Sequence, residues 1–201
     1  PSSVVVVDLP YLTQQCAPAV HQDTMRRIVQ VESAFNPWAI GVVGGRLERQ
    51  PSNRIEAIAT AEWLERNGYN YSVGLAQVNK TNFARYGLTP QTAFEACPNL
   101  HAGGEILKDC FIRANKTRGD EQEALRDAFS CYYSGNFITG YKLGYVLKVV
   151  TSGVAMVTAQ ASPASSRKKN NVVAYRAGNT PTAAREYAPS LAAASSSALL
   201  F

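Results

Sequence analysis

The four cysteines of this 201-residue chain restrict its fold more than any other feature. Cys16, Cys97, Cys110 and Cys131 permit three pairings. Pro98 is typical of the first position of a helix, and apolar spacing continues that helix as far as Cys110. A helix rises roughly 20 Å over this interval, whereas a disulfide needs Cα atoms within about 7 Å. Cys97 therefore cannot pair with Cys110.

The remaining cysteines fit a helical hairpin. Cys110 and Cys131 fall on two predicted helices joined by the turn at residues 116–120, so they can meet across that hairpin. This pairing leaves Cys16 for Cys97 and ties the N-terminal segment to the body. Two disulfides indicate an oxidising compartment. The alternative is four buried free thiols in a cytosolic protein.

Neither a metal nor another cofactor is predicted. No two cysteines have the spacing of metal ligands, and His21 and His101 are the only histidines, so a zinc site is not expected.

The basic charge lies mostly at the C-terminal end. Residues 1–150 carry a net charge of +1, whereas residues 151–201 carry +4. A nearly neutral body argues against a nucleic-acid-binding protein, which would carry a basic face of its own. The chain has no run of about 18 apolar residues, so no membrane span is predicted. The basic end could still contact an anionic wall polymer or a membrane surface.

The chain divides into three parts. Residues 1–21 are predicted as an extended N-terminal lead-in, residues 22–150 as a mainly helical body, and residues 151–201 as a flexible Ala/Ser/Thr-rich basic tail. A β-hairpin with a Gly44-Gly45 turn is predicted over residues 39–47. A short extended segment follows at residues 69–79. Helices are predicted at residues 22–34, 54–66, 80–86, 89–95, 98–115, 121–133 and 137–150.

Glu32 is a carboxylate where the helical pattern calls for an apolar side chain. Met25, Ile28 and Val29 form an apolar stripe, Glu32 is its next position, and Asn36-Pro37 ends the helix. An acid at the rim of a core is poorly solvated, which raises its pKa towards the range useful for a proton donor. The alternative is a helix-terminal glutamate that turns out to water.

Three further features are compatible with a glycan cleft around this acid. Gly74 lets a ligand or another backbone approach closely, and the amides of Gln77 and Asn79 suit sugar N-acetyl and hydroxyl groups. Tyr132 lies at a helix end, where its hydroxyl can stabilise positive charge or hold a carboxylate. Ser33 could orient a substrate group. The alternatives are turn-capping amides, a core aromatic ring and a local backbone hydrogen bond.

In this order, three motifs resemble the soluble lytic transglycosylase family, glycoside hydrolase family 23. They are Glu32-Ser33 at a helix end, Gly-Leu-Ala-Gln-Val-Asn at residues 74–79, and Tyr132 before Ser134-Gly135. Longer segments resemble the lytic transglycosylase component of bacterial type IV secretion systems, namely residues 31–42, 74–79, 86–89, 97–103 and 106–110. The resemblance covers roughly residues 12–150.

The resemblance implies an α+β, mainly α-helical, lysozyme-like fold with a small β-sheet. It also implies cleavage of the β-1,4 bond between N-acetylmuramic acid and N-acetylglucosamine in peptidoglycan. Glu32 matches the catalytic acid of the family. Positions that line the saccharide cleft of the family are matched by Ser33, Ser72, Gln77 and Asn79, and its active-site tyrosine is matched by Tyr132.

Two positions depart from the family pattern. Tyr133 stands where the family usually has Asn, which removes an amide near the site. Ala76 stands where Met is commoner, which should only widen the floor slightly.

The family mechanism needs only one acid, because the substrate's N-acetyl group assists and its C6 hydroxyl attacks to give a 1,6-anhydromuramoyl product. Two alternatives remain at this stage. Glu62 or Glu65 could act as a second carboxylate and make the protein a hydrolytic lysozyme. The domain could also be a non-catalytic peptidoglycan-binding or secretion scaffold module.

The resemblance further implies peptidoglycan glycan strands as the substrate and type IV secretion components as partners, with the protein in the periplasm. The apolar run at residues 4–7 is too short to be the core of a signal peptide, so no signal peptide is expected within this chain. The run is predicted to be either the remnant of a longer leader or an edge strand.

Overall fold

A computed structural model describes residues 8–153 and the backbone of residues 172–173. Most of the tail predicted at residues 151–201 therefore lies outside the described residues. Helices make up the bulk of the described part, and a small antiparallel sheet lies beside them. This arrangement confirms the predicted mainly helical α+β class.

The described part contains seven α-helices: α1 Leu9–Cys16, α2 Gln22–Ser33, α3 Arg54–Arg66, α4 Ala96–Asn115, α5 Glu121–Ser134, α6 Thr139–Lys142 and α7 Tyr145–Thr151. The strands are β1 Ile40–Val42, β2 Arg46–Leu47, β3 Tyr71–Val73, β4 Val78–Asn79 and β5 Val172–Val173. Short 3₁₀ turns span Lys80–Asn82, Ala84–Tyr86 and Thr92–Phe94.

The extended lead-in predicted before residue 22 is wrong over α1. Asp8 caps this helix by accepting a hydrogen bond from the backbone N–H of Tyr11 (3.2 Å). Pro10 lies in the first turn, where the missing N–H costs nothing because that position has no intrahelical partner. Proline there favours a helix start as readily as an extended chain.

Both predicted disulfides are present. Cys16 pairs with Cys97 and joins the end of α1 to the start of α4, with Cα atoms 5.1 Å apart. Cys110 pairs with Cys131 across the α4–α5 hairpin, with Cα atoms 5.8 Å apart. The pairing confirms the argument from helix rise.

The predicted hairpin at residues 39–47 is wrong in its pairing. The chain does turn at Gly44, whose φ is +74°, but β1 pairs antiparallel with β3, and β3 pairs antiparallel with β4. The pairing of β1 with β3 places the buried residues Ile40 and Val73 opposite each other. β2 instead pairs in parallel with β5. Because Ile40 and Val73 are both buried where they face each other, the pairing of β1 with β3 is favoured over a hairpin with the adjacent strand β2.

The later helices match the predictions unevenly. The helices predicted at residues 80–86 and 89–95 are 3₁₀ turns, which suit such short segments. The helix predicted over residues 137–150 is divided into α6 and α7 by Gly144, whose φ is +77°. The break lets α7 start in a new direction and return to α2.

The predicted apolar stripe of α2 lies in the core. Met25, Ile28 and Val29 are fully buried. The guanidinium of Arg27, also buried, donates to the carboxylate of Asp23 at 2.8 Å and to the backbone oxygen of Val150 at 2.5 Å. Arg27 thus links α2 to the end of α7.

The buried side chain of Asn99, on α4, holds three backbone segments together. Its amide nitrogen donates to the backbone oxygens of Val73 and Ala93, and its amide oxygen accepts from the N–H of Ala76, each at 2.8 Å. A Cβ on Gly74, whose φ is +79°, would lie 2.3 Å from the Asn99 amide nitrogen. Glycine is required there both for space and for backbone conformation.

Among the described residues, no helix combines the length and apolar character needed to cross a bilayer.

The first testable prediction concerns Asn99. Asn99→Ala removes three hydrogen bonds and leaves buried backbone groups without partners, so the free energy of unfolding should fall by about 2–4 kcal/mol. Urea denaturation measures this change. Asn115→Ala, at an exposed position near the end of the same helix, is the matched control and should change stability by less than about 0.5 kcal/mol. Equal effects of the two substitutions would contradict the role given to Asn99.

Candidate active site

A cleft of about 860 Å³ lies between the small sheet and the α4–α5 hairpin. The sheet side is mostly polar, and the helical side carries the aromatic and ionic groups. Five of the six predicted site residues line this cleft: Glu32, Ser72, Gln77, Asn79 and Tyr132. The structure therefore brings together residues that lie as far apart as α2 and α5.

Glu32 lies near the C-terminal end of α2 and is largely withdrawn from solvent. Burial raises the pKa of its carboxyl from 4.5 to about 7, although a hydrogen bond from the Tyr145 hydroxyl and the positive charge of Lys148 act in the opposite direction. The carboxyl is thus protonated in about half of the molecules near neutral pH, which suits a proton donor.

Tyr145 and Lys148 are two site residues that no sequence motif indicated. They lie three residues apart on α7 and therefore on one face of that helix, towards Glu32. The pKa of Lys148 is itself lowered by burial, an effect that the negative charge of Glu32 partly offsets. The sequence pattern that could have pointed to them is a tyrosine and a lysine at helical spacing among Val146, Val149 and Val150, which are buried in the structure. Nothing in that pattern indicated the partner.

Ser33 is the predicted site residue that does not line the cleft. Its hydroxyl donates to the backbone oxygen of Leu75 at 2.8 Å and is 3.1 Å from that of Val29. Ala34 and Phe35 then leave the helix with φ of 49° and 62°. Ser33 thus ties the end of α2 to the segment at residues 74–79, and its direct contact with substrate stays a prediction.

The turn between β3 and β4 places two amides on the cleft wall. Gln77, at φ 48°, donates from its side-chain nitrogen to the backbone oxygens of Ala39 (2.9 Å) and Gly74 (3.0 Å). The side-chain nitrogen of Asn79 donates to the Ser72 hydroxyl at 3.2 Å. These bonds fix the orientation of both side chains before any ligand binds.

Tyr132 lies near the end of α5 and donates from its hydroxyl to the backbone oxygen of Ala76 at 2.5 Å. Burial, reinforced by the negative charge of Glu32, raises the pKa of Tyr132 well above its usual value. A Cβ on Gly103 would lie 3.1 Å from the Tyr132 hydroxyl and 2.6 Å from Cβ of Ala76. The phenol therefore remains a neutral donor on a closely packed floor.

Tyr133, the departure from the family pattern, also lines the cleft. Its side chain is 46% exposed, and its ring stacks on that of Tyr145, with centroids 4.6 Å apart and planes at 20°. The residue that replaces an amide is therefore an aromatic platform beside the carboxylate.

The two glutamates considered as a second carboxylate lie outside the cleft lining. Glu62 accepts from the side chain of Gln91, and Glu65 accepts from the Tyr71 hydroxyl at 3.0 Å. The carboxylate that lines the cleft together with Glu32 is Asp109.

Asp109 is engaged by two guanidinium groups. Arg113 lies 3.2 Å and Arg85 3.8 Å from its carboxylate oxygens. Arg113 also donates to the sulfur of Cys131 in the cleft wall. Among the described residues, no cluster of histidine, cysteine, aspartate or glutamate could hold a metal ion.

Comparison with known proteins identifies relatives over most of the chain. The family model described as "Transglycosylase SLT domain" matches residues 11–187. "Type IV secretion system protein virB1" of Brucella abortus biovar 1 (strain 9-941) is 58% identical over 147 residues, which are 70% of this chain and 62% of that protein.

"Protein virB1" of Rhizobium radiobacter is 37% identical over 158 residues, or 78% of this chain and 65% of that protein. The protein of the same name in Agrobacterium fabrum (strain C58 / ATCC 33970) is 37% identical over 162 residues, or 79% of this chain and 62% of that protein. The chain thus spans less than two thirds of the length of these relatives. No solved structure gives a significant match.

The raised pKa of Glu32 makes stability depend on pH. The carboxyl titrates near 4.5 when unfolded and near 7 when folded, so between these values the folded state keeps a proton that the unfolded state has released. Stability therefore falls as pH rises through this window, by at most about 3 kcal/mol.

Replacement of Glu32 should abolish this loss. Urea unfolding should find Glu32→Gln about as stable as the parent at pH 4 and about 2–3 kcal/mol more stable at pH 8. Parallel stability curves for the two proteins would show that Glu32 is not desolvated in the folded state.

The hydrogen bond from Tyr145 should be visible in the titration of Glu32. Tyr145→Phe removes a donor that favours the ionised carboxylate, so the pKa of Glu32 should rise above its parent value of about 7. Carbon-13 NMR of the Glu32 carboxyl measures the midpoint, with Tyr11→Phe, at an exposed position on α1 outside the cleft lining, as the control. An unchanged or lowered midpoint in Tyr145→Phe is the contrary result.

Proposed function

The chain belongs to the transglycosylase SLT domain family, and from this membership and the geometry of the cleft we propose that it is a peptidoglycan lytic transglycosylase. Its substrate is the β-1,4 bond between N-acetylmuramic acid and N-acetylglucosamine. Its product is a glycan strand that ends in a 1,6-anhydromuramoyl ring. The observation that carries the proposal is Glu32, a cleft carboxyl with its pKa raised to about 7.

Glu32 acts first as an acid and then as a base. The protonated carboxyl donates its proton to the glycosidic oxygen as the bond to C1 of the muramoyl residue breaks, while the N-acetyl oxygen of that residue stabilises C1. The resulting carboxylate then accepts the proton of the C6 hydroxyl while the oxygen of that hydroxyl bonds to C1. Glu32 regains its proton, and water is not consumed.

The absence of an available second carboxylate supports this route over hydrolysis. A hydrolytic glycosidase uses a pair of carboxyl groups about 5–9.5 Å apart. Among the residues that line the cleft, Asp109 is the second acid, and its ion pairs with Arg85 and Arg113 oppose a role as nucleophile or base. Hydrolysis through Asp109 is the second candidate reaction, and it gives a different product.

The remaining cleft residues hold the glycan. Ser72, Gln77 and Asn79 offer hydroxyl and amide groups for N-acetyl and hydroxyl groups of the sugars. The hydroxyl proton of Tyr132 is donated to the backbone oxygen of Ala76. The phenol oxygen, in the cleft near Glu32, therefore keeps lone pairs for the positive charge that develops as the glycosidic bond breaks. Ser33 acts through its bond to Leu75, which holds this wall against the end of α2.

The same family supports a proposal for the compartment and the partners. Two disulfides suit the oxidising periplasm, where peptidoglycan lies. Relatives carry the name "Type IV secretion system protein virB1", and we place this protein in the local opening of the wall during assembly of such a system. Secretion components are its proposed partners. A cleft carboxyl whose pKa is raised to about 7 favours a catalytic role over that of a non-catalytic scaffold.

The catalytic assignment is tested by Glu32→Gln on purified sacculi. Loss of the general acid should slow the fall in turbidity by about 100-fold or more, because an amide cannot transfer the proton. Glu62→Gln, outside the cleft lining, is the matched control and should clear the wall as fast as the parent. Equal rates in the parent and Glu32→Gln would refute the assignment.

The two reactions differ in the mass of the product. Mass spectrometry of the released muropeptides should show anhydro ends, which are lighter by one water than the reducing ends that hydrolysis leaves. Reducing ends as the main product would show that the protein is a hydrolase, with Asp109 as the candidate second carboxylate.

A further inference from the structure

One ring of the cleft has a surface that the proposed reaction does not use. Tyr133 rests on Tyr145 through one face, with centroids 4.6 Å apart. Its side chain is nevertheless 46% exposed and lines the cleft. A ring stacked on one side and exposed to this extent must offer its other face or its edge to the cleft. That surface is available to a ligand.

The ring lies close to the reacting groups. Tyr145, on which Tyr133 stacks, donates its hydroxyl hydrogen bond to the carboxylate of Glu32. Tyr132, the residue before Tyr133 on α5, reaches the floor of the same cleft at Ala76. A sugar that covers the ring of Tyr133 would therefore lie next to the glycosidic bond that Glu32 protonates.

The rest of the cleft has the complementary polarity. Hydrogen-bonding side chains come from the sheet side, at Ser72, Gln77 and Asn79. Val43 and Leu143 are exposed apolar side chains that line the cleft together with Tyr133. An N-acetylated pyranose has the same division, with polar groups around its rim and C–H groups on its faces. The polar groups of such a sugar can hydrogen-bond to the amides of the cleft wall while one of its C–H faces packs on an aromatic side chain.

We propose that Tyr133 is a sugar-stacking, specificity-determining residue that binds one face of a pyranose ring in the subsite beside Glu32. This inference rests on the proposed glycan substrate. At a position where the family usually offers an amide, this chain replaces a hydrogen bond with an aromatic surface. Binding in this subsite then depends on the C–H face of the sugar more than on its polar substituents.

The test measures binding without turnover. In a Glu32→Gln background, the Kd for an N-acetylglucosamine tetramer is measured by isothermal titration calorimetry. Replacing Tyr133 with leucine keeps an apolar side chain but removes the ring, and should raise Kd by roughly 2- to 10-fold. Tyr133→Asn, which installs the usual family residue, should also raise Kd. Tyr133→Phe keeps the ring and should bind as tightly as its parent.

Two further measurements separate stacking from a structural role. Tyr11→Leu, which removes an exposed tyrosine from α1, should leave Kd unchanged. Proton NMR of the bound tetramer should show upfield shifts of sugar C–H resonances in the Tyr133 protein, because the protons of one face lie over an aromatic ring. This second measurement needs no variant at position 133.

The outcomes distinguish this inference from the proposed function. Equal Kd values for Tyr133, Tyr133→Leu and Tyr133→Asn, or no upfield shift, would overturn the stacking role while the glycan substrate stands. With Glu32 intact, a Tyr133→Leu substitution that only moved the alkaline limb of the pH–activity profile would make Tyr133 a support for Tyr145 and would likewise overturn stacking. If the Glu32→Gln protein bound neither the tetramer nor sacculi, the proposal of a glycan substrate would itself be overturned.

Discussion

The carboxamide of Asn99 is the interaction on which the cleft depends. Its amide nitrogen donates hydrogen bonds to Val73 at the end of β3 and to Ala93 in a 3₁₀ turn, and its amide oxygen accepts one from the N–H of Ala76. No apolar side chain could make these bonds, and a carboxylate would lack the donors. The backbone that Asn99 fixes carries the oxygens bonded by Ser33 and Tyr132. One buried amide thus sets the position of both cleft walls.

Within this frame, the acid is tuned by opposing effects. Desolvation raises the pKa of Glu32, while Tyr145 and Lys148 on α7 restrain the rise to about 7. Burial alone would hold the proton too tightly to release it, and full exposure would leave the carboxylate ionised at neutral pH. The same desolvation makes the native state less stable above neutral pH, so the site carries a cost in folding free energy.

Features that depend on local geometry could be predicted from the sequence. The apolar stripe of α2, the bounds of α3 and both disulfides follow from helical periodicity and rise, and the structure confirms them. Most of the site residues could be named from motif resemblance, and five of the six line one cleft. What could not be predicted depends on distant partners. Strand β1 pairs with β3 although helix α3 lies between them in the chain, and Glu32 accepts a hydrogen bond from Tyr145, 113 residues further along the chain. A pattern within one segment holds no information about such contacts.

The Cys16–Cys97 bond also has a topological meaning. It closes the chain into a covalent ring that contains Glu32 and the whole segment from residue 74 to residue 79, whereas Cys110–Cys131 closes a separate, smaller ring. The exposed turn at Gly44 lies inside the larger ring. A protease that cut the backbone there would leave the two pieces joined through sulfur, and Glu32 and Gln77 would stay in one molecule although no continuous backbone connected them.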